Sequence, residues 1–339
     1  MNDDYLWDKS GEPDPDVQRL EHALGPLRHS RPAPAWPVAV DRPARGLWEG
    51  WVPRFAAAAA ALALVVGTWW AARAPQAAWT VERLEGAPRV GMAVVKDGGR
   101  LVVGQWLETD ASSRARVEVG SIGEVQVEPN TRLRLLRARA DEHRLALERG
   151  TMHAVIWAPP RLFFVETPSA TAVDLGCAYT LTVDADGRGS LAVTAGWVAF
   201  DFAGHETVVP WDGRCETRPG QGPGTPYFED APAPLVEALA RLDFARLAAG
   251  ERAAAVEAVV TSARPRDAMT LWHRLTRGEP GERGRVFDRL AELAPPPAGV
   301  TRAGILEADR EMLDRWWDEF GLGESASWRM YKARPAAGG

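Results

Sequence analysis

Residues 116–127 read Arg116-Val117-Glu118-Val119-Gly120-Ser121-Ile122-Gly123-Glu124-Val125-Gln126-Val127. Four valines alternate with charged or polar side chains, and Gly120 to Gly123 separates the two runs. A period of two sends successive side chains to opposite faces of a strand. Each run is therefore half-buried, and the glycine-bearing turn reverses the chain between them. The alternation continues at Leu133 and Leu135 and at Leu145 and Leu147. Gly150, Gly176, Gly187, Gly196 and Gly204 punctuate further runs between Trp79 and Phe228. Many short strands joined by glycine turns make residues 73–229 an all-β sandwich or solenoid, not an α/β enzyme core.

Upstream the pattern changes completely. From Phe55 to Ala72 the chain reads FAAAAAALALVVGTWWAA, without charge or proline. Phe55, Leu62, Leu64, Val65, Val66, Trp69 and Trp70 are its large apolar side chains. Roughly 18 helical residues reach about 27 Å, the thickness of a thin hydrocarbon core. Trp48 and Trp51 stand before the stretch, and Trp69 and Trp70 close it, as in an interfacial aromatic belt. Arg28, Arg31, Arg42, Arg45 and Arg54 precede it, whereas Arg73 alone follows it closely. By the positive-inside rule, residues 1–54 are cytoplasmic and everything after 73 is outside, with 55–72 an uncleaved single span.

The segment before the span opens with a short helix signal. Asp14-Pro15 supplies a capping acid and a proline at the first helical position. Val17, Leu20, Leu24 and Leu27 then fall on one helical face, and Pro26 ends or kinks the helix. Pro32, Pro34, Pro37 and Pro43 make the following stretch an extended tether. Two or three helical turns build no core alone. The stripe is thus either a docking face for a partner or for the membrane surface, or part of a weakly ordered tail. Tyr5-Leu6-Trp7 adds an aromatic anchor to the first reading.

Downstream, residues 230–339 are rich in Ala, Leu, Arg and Glu. Helical faces are marked by Leu235, Leu239 and Leu242; by Val256, Val259 and Val260; by Met269, Trp272 and Leu275; and by Val286, Phe287 and Leu290. A last helix is expected through Leu306, Leu313, Trp317 and Phe320, stopped by Gly321. Two architectures suit this α-helical domain: an array of α-hairpins similar to HEAT repeats, or a cap on the β region.

Four stretches in the β region resemble the FecR family. The first is Gly104-Gln105-Trp106-Leu107-Glu108-Thr109, leading to Ser113-Arg114-Ala115-Arg116-Val117. The second is Val127-Glu128-Pro129-Asn130-Thr131-Arg132-Leu133. The third is Leu147-Glu148-Arg149-Gly150 with Phe164-Val165-Glu166-Thr167-Pro168-Ser169-Ala170. The fourth is Val173-Asp174-Leu175-Gly176-Cys177-Ala178-Tyr179 with Val193-Thr194-Ala195-Gly196-Trp197-Val198. The family has Gly-Thr-x-Phe in this last place, so the chain departs from it at Cys177 while Tyr179 keeps an aromatic ring. The resemblance implies a regulator in the bacterial inner membrane. Its periplasmic β domain would relay an envelope signal to an extracytoplasmic-function sigma factor, as an anti-sigma or sigma-regulating protein, and would meet a periplasmic or outer-membrane protein. The competing expectation is a non-enzymatic envelope scaffold.

Other functions find little support. The net charge of −6 provides no basic footprint for nucleic acid. No P-loop, Gly-x-Ser-x-Gly or His-Glu-x-x-His motif is present, and His205-Glu206 lacks a second histidine. Gly220-Gln221-Gly222-Pro223-Gly224 is a loop, since Pro223 forbids a dinucleotide-type helix start. Nothing suggests a catalytic residue, a cofactor or a metal. His143 and His153 are expected on the solvated surface. Cys177 and Cys215 would face an oxidising compartment, either bridged across roughly 38 residues with on the order of 3–4 kcal/mol of stabilisation, or as two buried thiols.

Overall fold

The computed structural model describes residues 15–24 and 78–329. The chain divides into two compact units, Met1–Ala72 and Arg73–Gly339. In the first unit, α1 (Pro15–Leu24) starts on Pro15 as the sequence suggests. Among the described residues no helix is long and apolar enough to cross a membrane. The apolar stretch 55–72, with Phe55, Leu62, Leu64, Val65, Val66, Trp69 and Trp70, lies outside the described residues, as do Tyr5, Trp7 and Leu27.

The second unit settles the sandwich-or-solenoid alternative in favour of two packed sheets. One sheet runs β4 (Gly98–Val102), β1 (Ala78–Glu85), β6 (Arg114–Val119), β7 (Gly123–Val127), β9 (Glu142–Ile156), β12 (Ala178–Val183), β13 (Gly189–Ala195) and β16 (Gly213–Arg218). The other runs β3 (Ala93–Val94), β2 (Arg89–Val90), β5 (Trp106–Glu108), β8 (Arg132–Arg139), β9 again, β10 (Phe163–Glu166), β11 (Thr171–Asp174), β14 (Trp197–Phe202) and β15 (His205–Pro210). The pairings are antiparallel except that of β9 with β10. Two-residue strands β17 (Gly222–Pro223) and β18 (Tyr227–Phe228) finish the first sheet against β16, so the glycine-rich run read as a loop is partly a strand.

Strand β9 belongs to both sheets. Its first half pairs with β8 and β10, and its second half with β7 and β12. His143, Leu145 and Leu147 point inward in the first half; Met152, Ala154 and Ile156 do so in the second. The inward set thus changes parity between Leu147 and Met152, at Arg149-Gly150. A one-residue irregularity in a ladder flips every later side chain. The core between the sheets draws on both: Val81, Val117, Val125 and Leu181 from one, Leu107, Leu133, Leu147 and Phe163 from the other.

The helices are α2 (Ala233–Phe244), α3 (Ala249–Ser262), α4 (Ala268–Arg277), α5 (Pro280–Leu293), α6 (Arg302–Leu306), α7 (Arg310–Asp318) and α8 (Ser325–Arg329). The single helix expected from Leu306 to Phe320 is two. Ala308 adopts φ 59°, which breaks the chain, and Asp309 starts α7 afresh by accepting the Met312 N–H at 3.0 Å. The helices form a cap, not a free-standing array. Val173, Leu175, Ala199 and Val208 of the second sheet share one core with Leu235, Leu239, Met269, Leu271 and Trp317. Burying each large apolar side chain is worth about 1.5–3 kcal/mol, so the shared core outweighs any single hydrogen bond across it. The β region and the helices fall within the one compact unit Arg73–Gly339.

Candidate functional site

The family-like stretches meet where β9 changes sheet. The Thr109 hydroxyl donates to the Glu128 carbonyl at 2.6 Å and accepts the Thr131 N–H at 2.9 Å. The Thr131 hydroxyl accepts the Thr151 N–H at 2.9 Å and lies 3.1 Å from the Thr151 carbonyl. A hydroxyl both donates and accepts, which is why threonine suits these buried places. Asn130 takes φ 59°, turning the chain so that Thr131 faces inward. Gly150 takes φ 96°, and a Cβ there would come within 2.4 Å of the Thr131 Cα. The motif residues therefore tie three segments at the crossing.

A second knot lies partly beside the crossing, where the β10–β11 turn and the β12–β13 turn meet near Gly150, and partly at the far end, at Asp174. The Thr167 hydroxyl accepts the Ala170 N–H at 3.0 Å, and Ser169 donates to the Gly187 carbonyl at 2.6 Å. Asp174, 1% exposed, accepts the Gly176 N–H at 2.7 Å and the Cys177 thiol at 2.6 Å. A Cβ on Gly196 would approach the Gly176 carbonyl oxygen to 2.1 Å, so the two glycines let their backbones touch. Burial pushes the Asp174 carboxyl up to about 6, against the two hydrogen bonds that favour its charge. Burial, with the Asp174 charge beside it, also raises the Cys177 thiol. Cys177 thus fills the family's threonine position as a donor, and Tyr179 keeps its ring in the core.

Of the two alternatives for Cys177 and Cys215, the structure has the two buried thiols and not the bridge. Both thiols are free and buried. Cys215 pairs with Leu191, and Leu191 with Leu181. Cys177 therefore lies two strands away, about 10 Å, and four residues further along, roughly 13 Å. A bridge needs Cα atoms within about 7 Å. The Cys215 thiol donates instead to the Gly224 carbonyl at 3.4 Å.

Of the two histidines expected on the surface, His153 is there and His143 is not. His143 is buried, its ring 5.7 Å from that of Trp79. His153 lies on the outer face of the first sheet, bonded to the Thr180 hydroxyl at 2.8 Å. They occupy opposite halves of β9, roughly 30 Å apart along the strand, and do not meet. Among the described residues no group of His, Cys, Asp and Glu is arranged to hold a metal ion.

The junction of sheet and cap carries polar chemistry that sequence reasoning missed. His273 on α4 bonds through Nε2 to the Val208 carbonyl at 2.9 Å. Burial, and then the charge of Arg277, lower His273 to about 3, so it is neutral and donates. Arg274, buried beside it, is held by Asp243 at 2.9 Å and Glu282 at 3.0 Å. Trp197 donates its indole N–H to the Leu322 carbonyl at 2.6 Å. The one local signal was Trp272-His273-Arg274 lying on the amphipathic helix whose apolar face carries Met269 and Leu275.

On α1, Leu20 is 61% exposed and Leu24 is 55% exposed. Val17 belongs to the same helix. Asp16 pairs with Arg19 at 2.5 Å on the helix surface. The two leucines sit four residues apart, one turn along the same face.

Residues 105–199 match the family model described as FecR protein. No curated protein matches the chain significantly. Two crystal structures of a "putative anti-sigma factor" from Parabacteroides distasonis ATCC 8503 are similar to it over 39% of this chain, at 18% identity and a TM-score of 0.33. The match spans 63% of one of those chains and 62% of the other. At that TM-score the likeness carries no argument about architecture. The family match runs from β5 into β14 and contains both hydroxyl knots, so residues 105–199 of this chain match a FecR domain.

Proposed function

We propose that the chain is a single-pass inner-membrane signalling protein. In this reading 55–72 crosses the membrane, the FecR domain and its helical cap lie in the periplasm, and the N-terminal segment controls an extracytoplasmic-function sigma factor. The observation that carries it is the FecR match over 105–199, a regulatory family, in a chain whose N-terminal helix leaves Leu20 and Leu24 in solvent. Two exposed leucines on one helical face are the anchors of helix-in-groove recognition, each worth on the order of 1–2 kcal/mol when desolvated by a partner.

The test is affinity capture with the full chain in detergent-solubilised native membranes. A co-purifying sigma factor, lost in the Leu20→Asp/Leu24→Asp variant, is expected. Capture that is indifferent to the double substitution overturns the docking face. Topology is checked separately. Alkaline phosphatase fused after Phe228 should be active and fused within 1–54 inactive; the reverse result removes the periplasmic placement.

A further inference from the structure

A cavity of about 620 Å³ opens between the β14–β15 turn and the helices of the cap. Its volume is that of a small-molecule site, and the sigma-factor reading makes no use of it. Among the described residues, four arginines and three carboxylates stand in its lining. Arg274 is neutralised by Asp243 and Glu282, and Arg252 by Glu282 and Glu279. Glu206 is held by Arg161. Asp314 lies one turn after Arg310 on α7.

Arg277 and Arg310 are different. Arg277 donates to the Thr207 hydroxyl at 3.1 Å and to the Pro223 carbonyl. Both acceptors are neutral, so the guanidinium is held in place and, among the described residues, makes no ion pair. Arg310, among the described residues, makes no ion pair. His273 at the wall is neutral and adds no charge of its own. Phe202 and Trp272 supply apolar surface to the same cavity. A rigidly held guanidinium and a second cation beside apolar walls fit an oxyanion on a small organic body.

We propose that this cavity binds a small organic anion, a carboxylate or a phosphate, gripped by Arg277 and Arg310. Because the β14–β15 turn and the cap both line it, the bound anion ties cap to sheet. Binding to the folded chain alone stabilises it by mass action.

The experiment is isothermal titration of the full chain in detergent with citrate, and separately with inorganic phosphate, at ionic strength held constant with sodium chloride. Saturable binding of at least one probe near one per chain is expected, with citrate alone indicating an organic carboxylate and phosphate alone a phosphate. Arg310→Gln, which removes no ion pair among the described residues, should weaken binding about 10- to 100-fold while leaving the unliganded melting temperature unchanged. Arg277→Gln should weaken it as well, with some loss of stability. Absence of saturable binding by both probes, or unchanged affinity in Arg310→Gln, overturns the proposal.

Discussion

Trp197, the aromatic residue of the last FecR-like stretch, hydrogen-bonds to the carbonyl of Leu322, 125 residues later. Gly323 packs directly on the indole, where a Cβ would come within 2.3 Å of the ring. The strand that ends the family match is thereby fastened to the end of the cap. Trp197→Phe keeps most of the ring and removes the donor. It should cost about 1–2 kcal/mol and speed hydrogen exchange around 319–323 while leaving β11 and β14 protected. Unchanged exchange in that segment would show that the contact does not hold the cap.

Gly150→Ala attacks the sheet crossing. The new Cβ meets the Thr131 backbone, and φ 96° is strained for any L side chain. A loss of about 2–4 kcal/mol is expected, read as a lower urea midpoint at constant slope. A midpoint within error of the parent would mean that the crossing has room to relax.

Asp174 gives stability a defined pH dependence. Its folded value near 6 lies above the ordinary 3.8. Between those values the folded chain holds the proton and the unfolded chain has lost it. Stability from this group therefore falls as pH rises from about 4 to about 6, by on the order of 3 kcal/mol, and is level above. Asp174→Asn should flatten that limb. Cys177→Thr, which restores the family's hydroxyl donor, should be tolerated; Cys177→Val should cost about 1–3 kcal/mol by leaving the buried carboxylate short of a partner. Denaturant titrations from pH 4 to 7.5 read all three.

His273 acts with the opposite sign. Its folded value near 3 is below the ordinary 6.5. The unfolded chain takes up the proton first, so this contribution is present above pH 6.5 and is lost as pH falls toward 3. The full span is worth up to on the order of 5 kcal/mol. His273→Gln keeps a side-chain donor without the titration, and its stability should decline less below pH 6. An identical acid limb in the variant would remove His273 as its source.

The strands were legible because Val117, Val119, Val125 and Val127 alternate and glycines mark the turns. Helical faces such as Leu235, Leu239 and Leu242 were legible for the corresponding periodic reason. The parity change of β9 was also written in the chain, as Leu145 and Leu147 followed by Met152 and Ala154, but only a register against β8 and β12 gives it meaning. The choice between a Cys177–Cys215 bridge and two buried thiols was not legible, because cysteine count and compartment say nothing about the strand spacing that separates them. The junction chemistry was hidden for a similar reason. His273 finds Val208 65 positions away, and Arg274 finds Asp243 31 positions away. Neither spacing is a periodicity of helix or strand.

The central claim is that the N-terminal helix governs a sigma factor. The most direct measurement is the transcriptome of cells expressing Leu20→Asp/Leu24→Asp at the parent level, beside cells lacking the gene. The account predicts that both strains change the same small set of transcripts, sharing one promoter type, while the variant's cap and FecR domain remain folded. A variant transcriptome identical to the parent's, with the deletion strain altered only in envelope properties, would contradict it and leave the chain as an envelope scaffold.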